Sequence, residues 1–234
     1  MLSFFKERHL RYNIRCEIPC INIIADCVCF SYYEKIDNDI VCIDDELPFE
    51  IPKNWTWCRL QTCCSKEIKR GKSPKYTNNS NVLVFAQKCN TKYDGINIDL
   101  ALYLDESIIY KYPDNEYMQD MDIVINSTGT GTLGRVGIFR VSDNTKNLPI
   151  VSDSHVTIIR TYNLINKLYV YYYLKAYQSE LEKLGEGSTN QKELKPTTLK
   201  NFLIPIPPCE EQEHISLQIT TLFATLDEIK KYIN

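Results

Sequence analysis

The strongest constraint on the fold lies near the C-terminal end, where three prolines fall between residues 205 and 208. Proline lacks a backbone N–H and is excluded from helix interiors and central strands, so this segment predicts an extended exit from a globular unit. Glu210 and Glu211 follow directly. Negative charge is favoured in the first turn of a helix, and we therefore expect a helix to begin immediately after the prolines.

The apolar residues of this helix are spaced alternately four and three positions apart. They are Ile215, Ile219, Leu222, Leu226, Ile229 and Ile233. This spacing is typical of the narrow seam of a coiled coil and differs from the broader apolar face of an ordinary core helix. The sequence therefore predicts that the C-terminal helix pairs with another helix.

Three motifs follow one another here: Gly187-Ser-Thr-Asn-Gln191, Ile204-Pro-Ile-Pro-Pro208 and Glu211-Gln-Glu-His-Ile215. In this order they resemble the C-terminal end of the DNA-specificity (S) subunits of type I restriction–modification enzymes. Asn190 makes the first turn one residue longer than its commonest form in that family. The resemblance implies DNA-binding roles for Thr189, Asn190 and Gln191.

The opening of the predicted domain carries a second part of the resemblance. Residues 37–50 contain six acids and no Lys or Arg, a composition that predicts a solvated acidic linker. Pro48-Phe-Glu-Ile-Pro52, followed by Trp55 and Trp57, is similar to the start of a target-recognition domain in S subunits. We therefore divide the chain into an N-terminal extension and linker (1–46), a recognition domain (47–208) and a pairing helix (209–234).

Inside the domain, apolar runs predict strands first and helices later. The strands are expected at 81–85, 122–125, 137–141, 149–151 and 155–160. Asn163 is the expected N-cap of a helix that ends at Gly185, and the tyrosines between 169 and 173 are expected to pack it. This order favours an α+β fold with a mixed or largely antiparallel β core and peripheral helices, followed by a long C-terminal coiled-coil helix.

Composition excludes several classes of protein. A formal net charge of −3 over 234 residues argues against a protein that coats nucleic acid, so bound DNA would have to meet a local patch. No secretory signal layout or apolar run of membrane-spanning length is present, and we expect free thiols in a reducing cytoplasm. Cys16, Cys20, Cys27 and Cys29 lack the spacing of a zinc knuckle, and we expect no metal site.

A basic cluster spans residues 59–76, where six Lys and Arg side chains stand against Glu67 alone. Gly71-Lys-Ser-Pro74 resembles a turn of the recognition domains of S subunits. Lysines would neutralise phosphates, while amides and hydroxyls would discriminate between bases. The candidate DNA-binding residues here are Lys69, Arg70, Lys72, Ser73, Lys75, Tyr76, Asn78 and Asn79. A solvated loop without a partner is the alternative, and the acidic stretch 110–122 is expected to face away from DNA.

A glycine-rich segment allows two readings. Gly129, Gly131 and Gly134 form a G-x-G-x-x-G pattern with Asp153 downstream, which suggests a nucleotide-using enzyme. Such a site requires the loop to open a helix, whereas 135–141 reads as a strand. In S subunits a similar turn joins two strands, although Met121 stands where that family usually has glycine. That resemblance adds Ser127, Thr128, Thr130, Thr132 and Arg135 as candidate DNA-binding residues, and a plain hairpin turn is the alternative.

Catalysis is poorly supported by the sequence. Its three histidines lie outside known catalytic motifs, and the base-holding loop of adenine methyltransferases is missing. We therefore predict a non-catalytic subunit without a cofactor. The resemblance implies that it selects a split target in double-stranded DNA for modification (methyltransferase) and restriction subunits, and that it self-associates or pairs with another S polypeptide. An inactive regulatory fragment is a further alternative.

Overall fold

The computed structural model of the chain describes residues 12–19, 28–36, 39–188 and 192–233. The strands are β1 (Tyr12–Pro19), β2 (Val28–Ile36), β3 (Asp39–Cys42), β4 (Thr56–Arg59), β5 (Tyr76–Thr77), β6 (Leu83–Phe85), β7 (Leu102–Leu104), β8 (Ile123–Asn126), β9 (Val136–Ile138), β10 (Ile150–Ser152), β11 (Val156–Ile159) and β12 (Leu203–Ile206). The α-helices are α1 (Lys167–Ala176), α2 (Gln178–Lys183), α3 (Pro196–Asn201) and α4 (Cys209–Ile233).

Two small sheets form the centre of the domain. In one, β8 pairs antiparallel with both β11 and β9; in the other, with the order β10-β6-β7-β5, β10 runs parallel to β6 while β7 is antiparallel to it. The predicted α+β class with a mixed sheet is confirmed. The side chains of these strands are buried on both faces of the sheet, as all four residues of β8 are. The strands therefore appear in the sequence as short apolar runs.

The predicted long helix is two helices in the structure. Asn166, three residues after the expected N-cap, accepts the backbone N–H of Tyr169 at 3.0 Å and begins α1, so the prediction of Asn163 is wrong. Tyr177 separates α1 from α2. The tyrosines pack the helix as expected, since Tyr169 Oη donates to the carbonyl of Pro205 at 2.6 Å and Tyr173 Oη to that of Leu203 at 3.2 Å.

The proline-bearing segment is strand β12, which pairs antiparallel with β4. All four of its residues are buried, and Pro205 lies opposite Trp57. Among the described residues this sheet has two strands, so one edge of β12 is open and the proline is tolerated there. The predicted extended exit is therefore strand β12. Its last residue, Ile206, pairs with Thr56, the first residue of β4, and α4 begins after it at Cys209.

The acidic segment differs from the expected linker. The side chains of β3 are exposed, as a solvated segment requires, but β3 pairs with β2. Ile43 is 1% exposed and packs with Trp57 and Leu203, which places the following 3₁₀ turn against the domain. Arg59 fixes this contact through Glu34 at 2.9 Å and Glu46 at 2.8 Å. Its partners show that Arg59 belongs to the packing of the domain.

Met121 adopts the left-handed backbone conformation, with φ of 65°. Residues other than glycine are strained in this conformation, because their Cβ approaches the neighbouring carbonyl oxygen. The residue directly precedes Asp122 and β8, and its N–H donates to the carbonyl of Phe139 at 2.8 Å. The turn therefore favours glycine on physical grounds, at the position where the sequence departs from the S-subunit pattern.

The described cysteines whose pairing state the structure gives are free, with Cys58, Cys63, Cys64 and Cys89 buried. Burial raises the pKa of the Cys64 thiol well above its ordinary value, so this group stays protonated and unreactive. The cysteines considered for zinc lie outside the residues whose side chains are described. Within the described part of the chain, no group of His, Cys, Asp and Glu side chains has the arrangement of a metal site.

Helix α4 is attached at its N-terminal end. Gln212 is fully buried; its side-chain amide donates to the carbonyl of Pro207 at 2.9 Å and accepts the N–H of Asn166 at 2.9 Å. The Tyr172 ring stacks on Phe223 with centroids 6.1 Å apart. This contact with α1 is the outermost one that we identify along α4.

The predicted seam is divided between two environments. Ile215 packs against the domain core and Ile219 is half-buried, so the first two seam positions contact the chain itself. The other four, Leu222, Leu226, Ile229 and Ile233, are exposed. The long helix is confirmed, whereas its pairing with another helix stays a prediction.

Candidate nucleic-acid interface

Four cations of the basic cluster lie at the domain surface, each with a partner from the same chain. Lys69 Nζ is 2.8 Å from Glu116, Arg70 Nη1 is 3.1 Å from Glu193, Lys75 Nζ is 2.8 Å from Asp105, and Lys72 Nζ donates to the carbonyl of Lys111. Three of these side chains are accessible: Arg70 is 33% exposed, Lys69 41% and Lys75 63%. A phosphate approaching this surface would therefore have to exchange places with carboxylates and a carbonyl.

Glu116, in the acidic stretch that was expected to face away from DNA, contacts the basic cluster. It is buried between Lys66, at 3.0 Å, and Lys69. Burial by itself would raise the pKa of Glu116, but hydrogen bonds from the two lysines outweigh it and hold the pKa below its ordinary value. Lys66 is itself buried, so it belongs to the packing of the domain.

Several polar side chains of the turn between β8 and β9 form hydrogen bonds within the domain. Ser127 is fully buried and its hydroxyl lies 2.7 Å from that of Thr157, so it has no access to DNA. Arg135 donates to the carbonyls of Asn90 at 2.8 Å and Gly131 at 3.0 Å, which closes the turn. The Thr132 hydroxyl caps the same turn, and of the hydroxyl residues predicted here Thr130 alone is exposed.

The glycine pattern does not open a helix. Gly129, Gly131 and Gly134 have φ between 73° and 99° and shape a tight turn. Gly134 lies directly on the backbone of α2, where a Cβ would come 2.7 Å from the Glu182 nitrogen. Strand β9 follows, and none of residues 134–149, all described, is in an α-helix. The arrangement required to hold a dinucleotide is therefore absent from this segment.

Other predicted residues lie at an accessible edge of the second sheet. Strand β5 is the last strand of that sheet, and Tyr76 on it is 45% exposed. Ser73, Asn78 and Asn79, in the loops on either side of β5, are exposed as well. These side chains combine a ring, a hydroxyl and two amides at an edge from which a duplex could be contacted.

The predicted segments meet at the beginning of β11. Arg70 forms an isolated bridge with Thr157, and Gly71 donates its N–H to the carbonyl of Val156 at 2.9 Å. From the other side, Ser127 donates its N–H to the carbonyl of His155 at 2.8 Å. Segments about 60 residues apart in sequence are therefore held against the same strand end, which we call the β11 junction (Arg70, Gly71, Ser127, Thr128 and residues 153–157).

Glu193, which follows the third predicted segment in the sequence, also lies at the β11 junction. It bridges to Thr128 through the backbone and pairs with Arg70 through its carboxylate. The predicted DNA-binding residues Thr189, Asn190 and Gln191 lie outside the described residues.

Sequence reasoning did not include His155 among the candidate DNA-binding residues. His155 is exposed, and its Nδ1 lies 2.7 Å from the Thr128 hydroxyl. Beneath it, Asp153 is buried and accepts the His155 N–H at 2.8 Å. Burial raises the pKa of Asp153 above its ordinary value. The turn signal Ser152-Asp-Ser-His155 was visible in the sequence, but nothing local indicated which loops surround it.

Comparison with protein families decides the identity. The family described as type I restriction modification DNA specificity domain matches residues 52–234, which is more than half of the chain. The chain belongs to this family. The match includes the basic cluster, the β11 junction and α4, so the features described above lie within a DNA specificity domain.

Solved structures show the same fold. A chain from a structure on complex assembly and conformational transition of the type I R-M system matches with a TM-score of 0.61 and 21% identity, over 79% of this chain and 42% of that one. The HsdS subunit from Thermoanaerobacter tengcongensis matches with a TM-score of 0.58 and 21% identity, over 79% and 41%. This specificity-domain chain therefore spans about two fifths of the length of the solved chains it matches.

Helices in the described part of the chain are too short or too polar to cross a membrane.

Proposed function

We propose that this chain is the DNA sequence-recognition half of a type I restriction–modification enzyme and reads one part of a split target in double-stranded DNA. The observation that carries the proposal is the β11 junction, where segments predicted separately from the sequence lie together at an accessible surface. Family membership adds that domains of this kind confer DNA specificity.

The chemistry of the interface supports a division of labour. Lys69, Arg70, Lys72 and Lys75 supply positive charge for phosphates, which positions a duplex without reading its sequence. Thr130 and the loop amides Asn78 and Asn79 are exposed groups suited to base edges. Because the cations already have acidic or carbonyl partners, non-specific binding should be weak, in keeping with a net charge of −3.

Assembly is proposed to use α4. Four apolar seam residues are exposed on its outer half, and burying them against a second helix would remove apolar surface from water. The partner is a second copy of the chain or another S polypeptide, which gives two recognition domains related by approximate two-fold symmetry. Modification subunits would dock on this helical spacer and a restriction subunit would complete the enzyme, all within the cytoplasm.

In this proposal the chain has no catalytic role and holds no cofactor. By family resemblance, the modification subunits carry S-adenosylmethionine and methylate adenine, while the restriction subunit hydrolyses ATP and cuts. The buried, protonated thiol of Cys64 and the internally bonded Ser127 are consistent with a recognition role.

The decisive experiment is methylome sequencing of cells that express this chain together with its cognate modification subunit. Methylated adenines should appear in one split motif, and the motif should be lost when the chain is omitted. Cells that contain both proteins but show no new methylation, although the proteins co-purify, would contradict the proposal.

A further inference from the structure

His155 is held from three directions at the β11 junction. Its carbonyl accepts the N–H of Ser127, its N–H donates to the Asp153 carboxylate, and its ring contacts the Thr128 hydroxyl. The backbone of Gly71 packs directly on the same turn. A Cβ at this position would come 2.3 Å from the carbonyl oxygens of Ser152 and Asp153. An exposed ring is therefore fixed on a turn that two predicted DNA-binding segments pack against.

The contact with Thr128 defines what the other ring nitrogen can do. Nδ1 is 2.7 Å from the Thr128 hydroxyl, whereas we find no partner for Nε2 among the described residues. The tautomer of an imidazole is set by the hydrogen bond made at its other nitrogen. If the hydroxyl donates to Nδ1, Nε2 carries a proton and can donate; if the hydroxyl accepts, Nε2 can accept.

Both arrangements give one directional hydrogen bond at a fixed position, which is what base reading requires. A donor at Nε2 suits the purine N7, guanine O6 or thymine O4, and an acceptor suits the amino group of adenine or cytosine. Phosphate contacts are already provided nearby by longer cationic side chains such as Arg70 and Lys75. Their presence favours a base edge as the partner of the ring.

We propose that His155 is a base-reading residue and that Thr128 is the residue that positions its ring. The proposal rests on the DNA-recognition function above and gives it a specific site. It assigns sequence discrimination to the centre of the β11 junction, next to the cationic loop that grips phosphates. Thr128, predicted as a direct DNA contact, acts in this proposal through His155.

The test is selection from a pool of randomised duplexes by the full chain assembled with its modification subunit. The variants are His155→Ala, Thr128→Val and Thr128→Ser. His155→Ala should lose discrimination at one base pair by about 10-fold or more while other positions are kept. Thr128→Val should weaken the same preference, and Thr128→Ser, which keeps the hydroxyl, should restore it.

The control is His214→Ala, a change of the exposed histidine on α4, which should leave every preference unchanged. Thermal melting shows that each variant is folded; the backbone contacts of residue 155 persist in the alanine variant. If wild type selects a sequence and His155→Ala selects the same one, the base-reading role is wrong. A uniform loss of affinity with a shallower salt dependence would instead identify a phosphate contact and also overturn the proposal.

Wild-type protein that selects no sequence at all, while still binding its modification subunit, would overturn the DNA-recognition function itself. This outcome is distinct from an unaffected His155 variant, which leaves the recognition function standing.

Discussion

At the residue scale, the acids around the basic cluster decide how strongly it attracts DNA. Lys75 is the most exposed of the four predicted cations that have structural partners, and it lowers the pKa of Asp105 well below its ordinary value through a direct hydrogen bond. Glu116 instead supplies the counter-charge of the buried Lys66. Asp105 therefore affects DNA binding through Lys75, whereas Glu116 affects the stability of the fold.

Changing Lys75 to Ala should weaken binding to specific and non-specific duplexes by the same factor. It removes a cation and leaves the Asp105 carboxylate without its lysine partner, so the slope of log K against log salt should become shallower by about one. Titration at several salt concentrations measures both effects. Lys183→Ala, which removes an exposed lysine with an acid 2.7 Å away on α2, is the matched control. Equal salt slopes for the two variants would remove the Lys75 loop from the interface.

Changing Glu116 to Gln should destabilise the fold by about 2 kcal/mol at neutral pH, because Lys66 would stay buried without a counter-charge. Burial already lowers the pKa of Lys66 in spite of the ion pair, so the pair compensates a buried charge more than it adds net stability. Chemical denaturation at pH 7 measures the loss. Glu67→Gln, which alters an exposed acid paired with Lys200, is the control and should change little.

The pH dependence of the same variant has a defined sign. The pKa of Glu116 is lowered in the folded state, so its contribution to the free energy of unfolding is complete above the ordinary value of 4.5 and is lost as pH falls through the folded pKa. Wild type should therefore approach Glu116→Gln in stability under acid conditions. A difference that stays constant from pH 7 down to about pH 3 would contradict this account.

At the element scale, the sequence identified β6, β8, β9, β10, β11 and the start of α4 because local patterns determine them. The apolar run Ile123-Val-Ile125 can only be buried, and prolines followed by Glu210 and Glu211 mark a boundary between extended chain and helix. The N-cap was placed three residues early because Asn163 and Asn166 are equivalent in local sequence. The tertiary contacts of Asn166 with Gln212 and Ser216 distinguish them.

The candidate site was less predictable for the same reason. The sequence shows that Lys69 and Arg70 are cations, but their partners Glu116 and Glu193 lie 47 and 123 residues further along the chain. Ser127 and Thr130 look alike in the sequence, yet one is buried and the other exposed. Burial and partners depend on which loops the sheet brings together, and no local pattern encodes this for an isolated chain.

Gln212 is expected to control the attachment of α4. Gln212→Ala should leave the carbonyl of Pro207 and the N–H of Asn166 without their buried partner, at a cost of about 1–3 kcal/mol. Thermal and chemical unfolding measure the loss, and hydrogen exchange should show the first turns of α4 opening more often. Gln218→Ala, an exposed position on the same helix, is the control. Unchanged protection of α4 in Gln212→Ala would show that apolar contacts alone anchor the helix.

At the scale of the whole molecule, the outer half of α4 is the part of the described chain that most requires a partner. Leu226→Asp combined with Ile229→Asp should abolish self-association, because charge on the seam cannot be buried against a second helix. Both side chains are exposed in the single chain, so the domain should keep its stability. Sedimentation measures the association, and Thr225→Asp, exposed on the same helix but outside the seam, is the control. Wild type that is monomeric at tens of micromolar would contradict pairing between copies.

The pairing of β4 with β12 has a consequence for how the domain is joined to the rest of the chain. Leu203 lies opposite Arg59 and Ile206 opposite Thr56, so the points at which the chain enters and leaves the recognition module are neighbours. The whole segment between residues 60 and 202 is attached at this short ladder, and a module whose ends adjoin can be exchanged without redirecting the rest of the chain. A new reading surface could be grafted at these two strands, and α4 would keep its direction where the graft retains the contacts of Asn166 and Tyr172 with it.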